Sequence, residues 1–474
     1  MEGNTTENST STKELTRKLD LLLRTGEILM DSSADTSRVK RNMERTAAFL
    51  GLPKENLHVE MDYYMLQVNL SDETHSYSKM RRCDKHAINF YAIQEISKLS
   101  WRAIKEDYSL DKYSEELEKI AHGPHYYSEW MIAICAGFAC GGFCVQFGCD
   151  WTAFFYASIA AILGNRLRMW LNKKGSNSYF NIGVAAFVST LIAWLSTFLS
   201  TPAFAAHLPE WLATVLHSDT PYHPFMACAL YIVPGVPLIN FVNDMLDNHI
   251  ENGLIRATNT MLMVMAMSFG IALAIKVCGQ DNFVKDLSMI PHNSFISYAI
   301  AAAISGMGFA TIYNTPKRLM PWIACGAIIA VCSRNFVNLG PANNNIGLGQ
   351  GLMIGSLVGS ALISIINIKM VHKLHTPHQI ITIPAVIPMI PGVLMYRGLY
   401  GLIDMQGIVG EVTFATHNAI NGSLVIIVIA MGVAIPNIFA RKWIAPNRKR
   451  KLHQLIEERK AKGKFVDLCE CETK

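Results

Sequence analysis

Residues 233–257 read VPGVPLINFVNDMLDNHIENGLIRA, and residues 386–401 read VIPMIPGVLMYRGLYG. Both stretches begin as apolar segments, but prolines and a Pro-Gly pair interrupt each of them. Proline cannot donate a backbone hydrogen bond and crowds the carbonyl four residues earlier, so it breaks or kinks a helix. In a lipid bilayer such a break is tolerated only inside protein or beside a watery cavity. The two stretches therefore predict two broken membrane helices.

These breaks predict a binding site for a small solute. Free carbonyl groups at a break can accept hydrogen bonds from an ammonium group, and a new helix N-terminus favours a carboxylate, so the pair suits a zwitterion. A simple packing kink is the alternative interpretation, and the charged end of Arg397 could instead reach the membrane interface. The predicted substrate-binding residues are Pro234, Gly235, Asn240, Pro391, Gly392 and Arg397.

Three aspartates that follow the breaks, Asp244, Asp247 and Asp404, are the candidates for proton coupling. Ionisable groups at membrane depth are costly and are usually functional. A carboxylate can carry a coupling proton there if burial favours its neutral form. The alternative is that these aspartates lie in loops just outside the bilayer.

The distribution of charge indicates a soluble head joined to a membrane domain. The chain has 474 residues, of which 51% are hydrophobic and 17% are charged, with a net charge of +5. About 39 charged residues precede residue 128 and about 16 follow residue 440, which leaves about 24 for the long middle region. A soluble core of that length would need a more polar surface. A purely soluble enzyme, a fibrous protein and a disordered chain are therefore excluded.

Ten apolar segments of membrane-spanning length follow the head. With the head inside the cell, Lys and Arg are concentrated in the inner loops, and the outer loop from Thr201 to Pro221 contains neither. This asymmetry predicts a multi-pass helical protein with both termini in the cytoplasm. The segments lie near residues 130–148, 151–171, 179–200, 223–242, 257–278, 292–313, 320–337, 346–368, 378–399 and 418–440.

The two halves of the membrane region are similar to each other. The sequence VPGV at residues 233–236 matches IPGV about 157 positions later, and this offset places Asp247 on Asp404. Residues Ala133, Ile134, Gly142 and Phe143 match Ala299, Ile300, Gly308 and Phe309. Because each half has five spans, an odd number, the second half would enter the membrane in the opposite direction. The pattern predicts 5+5 inverted repeats, which many secondary transporters share.

Four regions are predicted along the chain. Helical patterns from Glu14 to Met30, Asp35 to Leu50, Asp84 to Lys105 and Tyr113 to His122, with two strands between Leu57 and Leu70, indicate a small α+β head. The Lys- and Arg-rich tail is expected to anchor at the membrane surface rather than to bind nucleic acid. The regions are a cytoplasmic α+β head at 1–125, a first transmembrane repeat at 129–278, a second at 290–440 and a basic cytoplasmic tail at 441–474.

The chain resembles the threonine/serine exporter family. The resemblance rests on Gly26-Glu27 and the sequence ADTSRV at residues 34–39 in the head, and on the two stretches quoted above. It covers residues from about 20 to 440, and the two modules that are separate chains in some relatives are fused here. Ser33 departs from the family, which commonly has glycine at that position. The resemblance implies ten spans and proton-driven export of small amino acids, and some members are linked to other small carboxylates.

The predicted function is secondary active export of threonine and serine across the cell (plasma or inner) membrane, by proton antiport. Export of a small dicarboxylate such as succinate is the alternative, and the positive charge of Arg397 favours it. A membrane-tethered hydrolase and a channel are less favoured.

No Walker motif is present, and no enzymatic role, cofactor or nucleic-acid partner is predicted. No metal site is expected either, because Pro377 interrupts the spacing of His372, His375 and His378. The oligomeric state, a homo-oligomer included, is left open.

Overall fold

The computed structural model describes residues 3–52, 55–71, 76–123, 125–279, 293–341, 346–403 and 409–461. The fold is mostly helical, and the chain forms two compact units. The first unit consists of Met1–His125, Asn243–Arg256 and Ile438–Lys474, and the second consists of Tyr126–Val242 and Ala257–Asn437. The boundaries of the four predicted regions stay a prediction.

The first unit begins with two helices, α1 (Gly3–Asp31) and α2 (Thr36–Leu50). The side chain of Asp35 caps α2 by accepting a hydrogen bond from the backbone N–H of Arg38. Such a cap satisfies one of the free N–H groups at a helix start. Gly51 ends α2 in the left-handed conformation, with φ of 74°, which glycine adopts without steric strain.

A three-stranded antiparallel sheet follows, in the order β1 (Leu57–Met61), β2 (Met65–Ser71) and β3 (Ser76–Arg82). In the central strand, Leu66 and Val68 are fully buried, as alternation along a one-sided sheet requires. The sequence predicted β1 and β2 but missed β3. Its residues SYSKMRR are polar, and none of them is fully buried, so the strand has no apolar alternation to detect.

Two further helices complete the head, α3 (Phe90–Lys105) and α4 (Leu110–Ala121), capped by Asn89 and Ser109. The prediction that α3 begins at Asp84 is wrong, because the chain from Cys83 to Asn89 is irregular and the asparagine cap fixes the start. An asparagine side chain that accepts a hydrogen bond from the first helical turn favours this boundary.

Seven helical segments of the described residues are long and apolar enough to cross a membrane, and two bent helix pairs bring the number up to nine. The predicted segment 151–171 is also a helix, but it is not among the nine. It carries Arg166, Arg168 and Lys173 in its last third, and these lower its mean hydropathy. The seven segments are Glu129–Gln146, Ser178–Ser200, Ile250–Val277, Phe295–Ile312, Lys317–Asn338, Leu352–Val371 and Val409–Ala440.

The helices after the head are numbered in chain order. Short 3-10 turns occur at Phe198–Ser200, Leu230–Ile232, Lys317–Leu319 and Ile387–Met389. The helices are α5 (Glu129–Gln146), α6 (Trp151–Lys173), α7 (Ser178–Thr197), α8 (Pro202–Ala205), α9 (Glu210–Leu216), α10 (Pro224–Ala227), α11 (Gly235–Leu246), α12 (Ile250–Val277), α13 (Phe295–Ile312), α14 (Met320–Asn338), α15 (Leu352–Leu374), α16 (His378–Val386), α17 (Gly392–Ile403) and α18 (Val409–Ala461).

Helices α5 and α13 pack closely through two glycines in the second unit. A Cβ atom on Gly142 would lie 2.7 Å from the carbonyl oxygen of Ala301, and one on Gly308 would lie 2.5 Å from that of Cys135. Small residues allow such backbone approach between membrane helices. Gly142 and Gly308 are 166 positions apart, as are Cys135 and Ala301, so the contact is reciprocal.

Candidate functional site

The first predicted break is present. Helix α10 leads into the 3-10 turn Leu230–Ile232, and α11 then begins at Gly235 with a bend of 61° across the break. The backbone N–H of Val233 donates to the carbonyl of Leu230 at 3.1 Å, and that of Gly235 donates to Val233 at 2.8 Å. The chain therefore turns tightly at Pro234 and restarts as a new helix.

The second break has the same local structure. Helix α16 leads into the 3-10 turn Ile387–Met389, and α17 begins at Gly392 with a bend of 52°. The N–H of Ile390 donates to Ile387, and that of Gly392 donates to Ile390, both at 2.9 Å. Each of these groups lies 157 positions after its counterpart in the first break.

The two breaks contact each other in the second unit. A Cβ atom on Gly235 would lie 3.0 Å from the side chain of Ile387, and one on Gly392 would lie 2.6 Å from the side chain of Leu230. Leu230 and Ile387 are themselves 157 positions apart, so each break presses its glycine against the turn of the other. The crossing is closely packed at these glycines, and this conformation leaves no room there for a solute.

All six predicted substrate-binding residues lie at these breaks or in the helices that follow them. Pro234, Gly235, Pro391 and Gly392 form the turns described above. The other two occupy equivalent positions, 157 apart: Asn240 on α11 is 3% exposed, and Arg397 on α17 is 9% exposed. The structure therefore buries one polar side chain about one and a half turns after each break.

The predicted coupling residue Asp244 lies near the end of α11 and belongs to the first unit. It is 1% exposed, and its carboxylate accepts a hydrogen bond from the backbone N–H of Thr36 at 3.0 Å. It also forms an ion pair with Arg256, at 2.9 Å between Nε and Oδ2. Asp244 therefore binds the N-terminus of α2, where a negative charge is favourable.

Asp247 makes a parallel contact in the same unit. Its carboxylate accepts a hydrogen bond from the hydroxyl of Ser37 at 2.5 Å. The third predicted coupling residue, Asp404, lies outside the described residues. Two of the three predicted carboxylates are thus brought to the first turn of α2, next to the capping residue Asp35 and its ion-pair partner Arg38.

Arg256 joins this cluster to the rest of the head. Its Nη2 donates to the carbonyl of Ala34 at 2.8 Å, and its guanidinium group lies over the ring of Tyr63. His86 also belongs to this cluster, because its ring stacks on the ring of Tyr63, with the two ring centroids 4.0 Å apart. Burial, followed by the positive charge of Arg256, lowers the pKa of His86 below its usual value.

Sequence reasoning missed Arg256, Thr36 and Ser37 as partners of the predicted carboxylates. All three lie inside sequence motifs that had been identified, ADTSRV in the head and the stretch 233–257. No local pattern indicates that residues 208 positions apart will meet. Capping of α2 by Asp35 is a local feature of the head motif, but the contacts of its neighbours Thr36 and Ser37 with the aspartates are not.

Comparison with known proteins identifies the family. A model described as "Putative threonine/serine exporter" matches residues 20–278, and one described as "Threonine/Serine exporter, ThrE" matches residues 298–439. No solved structure resembles the chain closely enough to count as a match.

Individual relatives are distant. "Threonine/serine exporter" of Corynebacterium glutamicum is 20% identical over 447 residues, which cover 91% of this chain and 84% of the relative. "Probable threonine/serine exporter" of Mycobacterium tuberculosis is 19% identical over 394 residues, which cover 81% and 70%. "Probable succinate transporter subunit YjjP" of Escherichia coli K12 is 25% identical over 264 residues, which cover 56% of this chain and 96% of the relative. Because the two family models cover most of the sequence, the chain belongs to the threonine/serine exporter family of membrane transport proteins, with both modules in one polypeptide.

Proposed function

We propose that this chain is a secondary active exporter of small amino acids, threonine and serine, driven by proton antiport. The observation that carries the proposal is the pair of broken helices, which share the same turn and press their glycines against each other's turns. Paired, discontinuous helices of this kind form the central sites of many secondary transporters. The names of the relatives from Corynebacterium and Mycobacterium favour these substrates.

We infer that the membrane region consists of ten spans arranged as 5+5 inverted repeats, with α6 as the second span. The reciprocal contacts of α5 with α13, and of one break with the other, support this arrangement. An odd number of spans in each repeat inverts the second against the first, so a central site can open alternately to either side. The regions 1–125 and 441–474 then lie on the cytoplasmic side of the cell membrane.

The proposed substrate site consists of Pro234, Gly235, Asn240, Pro391, Gly392 and Arg397. When the crossing separates, the carbonyl groups at the two turns become acceptors for the ammonium group of an amino acid. The N-termini of α11 and α17 supply N–H groups and partial positive charge for its carboxylate. Asn240 on α11 and Arg397 on α17 then each offer one polar side chain to the solute.

Asp244, Asp247 and Asp404 are the proposed proton-coupling residues. Protonation of Asp244 would remove the charge that Arg256 pairs with and weaken the hydrogen bond from Thr36. Uptake of a proton would therefore loosen α11 from the N-terminus of α2 in the first unit. Under this proposal, the protonation state of Asp244 determines the position of α11, the helix that starts at the first break.

The test is efflux of labelled threonine from proteoliposomes across an imposed proton gradient. We expect gradient-dependent efflux from the wild type, and we expect Asp244→Asn to reduce it about tenfold or more, because an amide cannot take up the proton. Asp219→Asn is the matched control, because Asp219 is exposed in an outer loop. Absence of gradient-dependent efflux from the wild type would contradict the proposed function.

The same assay separates proton coupling from general damage. If Asp244→Asn and Asp247→Asn both keep full gradient-driven efflux, the assignment of these coupling residues is wrong. Exchange of labelled for unlabelled threonine without a gradient checks that the variants still bind and translocate substrate. A coupling variant should keep this exchange, whereas a misfolded one should lose it.

Export of a dicarboxylate such as succinate is the second candidate. It is favoured by the name of the relative from Escherichia coli and by the buried cationic side chain of Arg397. Competition separates the two. If the site is specific for threonine and serine, excess succinate should leave threonine efflux unchanged. If one site accepts both kinds of substrate, excess succinate should block it. The relatives are named as transporters or exporters, and none of these names favours the hydrolase alternative.

A further inference from the structure

A buried arginine on α14 lies beside the turn that leads into the second break. Arg334 is 8% exposed, and its Nε donates to the side-chain oxygen of Asn335 at 3.1 Å. A Cβ atom on Gly359 would lie 3.3 Å from Cβ of Arg334 and 3.1 Å from Sδ of Met389, the last residue of that turn. Among the residues that the structure describes, Arg334 forms no ion pair with a carboxylate.

The neighbours of this guanidinium group supply further donors. Tyr298 of α13, on which the positive charge of Arg334 acts, is fully buried, and its hydroxyl oxygen has no hydrogen-bond partner within the described residues. The side-chain Nδ2 of Asn335 is also buried and has no hydrogen-bond partner within the described ranges. A guanidinium group, an amide N–H and a phenol hydroxyl together complement an anion.

The first half of the membrane region has a counterpart. Arg168 on α6 lies 166 positions before Arg334, the same offset that relates Gly142 to Gly308. A Cβ atom on Gly164, one helical turn before Arg168, would lie 2.8 Å from the hydroxyl oxygen of Tyr231, a buried residue in the turn that leads into the first break. Arg168 as a whole is half-buried, and its Nε is buried without a hydrogen-bond partner in the described part of the chain. One arginine therefore lies beside each broken helix.

An arginine that is buried without a carboxylate is costly in a membrane, and such groups usually mark the path of a charged solute. The planar guanidinium group binds a carboxylate through two parallel hydrogen bonds, which a lysine cannot reproduce. From this geometry we infer that Arg168 and Arg334 are two related carboxylate-binding positions, one beside each break, which hold the carboxylate of the cargo in turn. The inference rests on the proposed transport function and on the proposed inversion, in which α6 and α14 cross the membrane in opposite directions.

The test measures binding of L-threonine, L-threonine amide and succinate to purified protein by calorimetry. We expect the wild type to bind at least one of the two carboxylate-bearing solutes and to reject the amide, which lacks the carboxylate. Arg334→Gln and Arg168→Gln should each weaken carboxylate binding about tenfold or more, which matches the loss of a bidentate charged contact. Arg334→Lys should recover only part of the loss.

Arg166→Gln is the matched control. It removes the same charge two residues away on α6, but Arg166 already pairs with Glu129 at 2.6 Å. We expect this variant to bind as the wild type does. If Arg334→Gln does not fold, Tyr298→Phe replaces it, because this change removes only a hydroxyl group and should still weaken binding severalfold.

The outcomes separate this inference from the proposed function. If the wild type exports threonine and the arginine variants bind it normally, the inference is wrong and the proposed function stands. If the wild type carries no threonine or serine but binds succinate, and the variants lose that binding, the substrate assignment is wrong and the inference stands. If the wild type binds none of these carboxylates, the inference is overturned.

Discussion

At the scale of single residues, the first unit concentrates opposite charges around the start of α2. Asp35 and Asp244 face Arg38 and Arg256, and each buried carboxylate has a guanidinium partner within about 3 Å. Burying such charges is tolerable only when they are paired and hydrogen-bonded. The cluster therefore fixes residues of the segment 243–256 to the turn between α1 and α2.

His86 is expected to make the stability of this cluster depend on pH. Its pKa in the folded protein is lowered by burial and by Arg256, so below about pH 6.5 the unfolded chain binds a proton that the folded chain resists. The contribution of His86 to the free energy of unfolding should therefore fall as the pH is lowered from about 7 to 5. The measurement is thermal unfolding of the purified protein across that range.

The variant His86→Asn should flatten this pH dependence. Asparagine also tolerates the left-handed backbone of residue 86, where φ is 36°. His122→Asn is the control, because it also removes one imidazole, but His122 is largely exposed at the end of α4 and lies outside the cluster. Equal pH profiles for the wild type and His86→Asn would show that another group is responsible.

At the scale of elements, the breaks could be predicted because proline acts locally. A proline removes one hydrogen bond at a known position, so Pro234 and Pro391 mark their turns without any knowledge of the fold. The strand β3 could not be predicted, because its pairing with β2 is decided by a neighbouring strand rather than by its own polar residues. The contact of Asp244 with Thr36 depends in the same way on tertiary packing.

The close contact between the breaks predicts an ordered effect of added side chains. Gly392→Ala would place a Cβ atom 2.6 Å from Leu230, and Gly235→Ala would place one 3.0 Å from Ile387. Both added atoms meet side-chain ends, so the overpacking cost lies at the lower end of about 1–3 kcal/mol, and Gly392→Ala, with the shorter distance, should unfold at the lower temperature. Gly410→Ala is the control, since no atom of the described residues lies within 4 Å of its Cβ position.

In that control, alanine should leave the unfolding temperature unchanged or raise it, because alanine favours a helix over glycine. The thermal unfolding of all three variants in the same detergent gives the comparison. If Gly235→Ala and Gly392→Ala are as stable as Gly410→Ala, the two breaks do not press against each other in the membrane.

At the scale of the whole molecule, the number of spans decides on which side the tail lies. Nine spans would place the two termini on opposite sides of the membrane, whereas the proposed ten, with α6 included, place them on the same side. We expect a reporter fused after Lys474 to be cytoplasmic, and an epitope inserted into the loop 201–221 to be accessible from outside. A reporter that reads as external would remove α6 from the membrane and contradict the proposed inversion.

The contact of Gly235 and Gly392 with each other's turns has a mechanical consequence for the whole molecule. Neither glycine carries a side chain that interlocks with its neighbour, so the two turns can tilt across each other without unwinding. Under the proposed inverted arrangement, the two repeats would rotate against each other about this contact. Under the same proposal, a tilt that opens the crossing towards one side of the membrane would close it towards the other, so the proposed site would be reached from one side at a time.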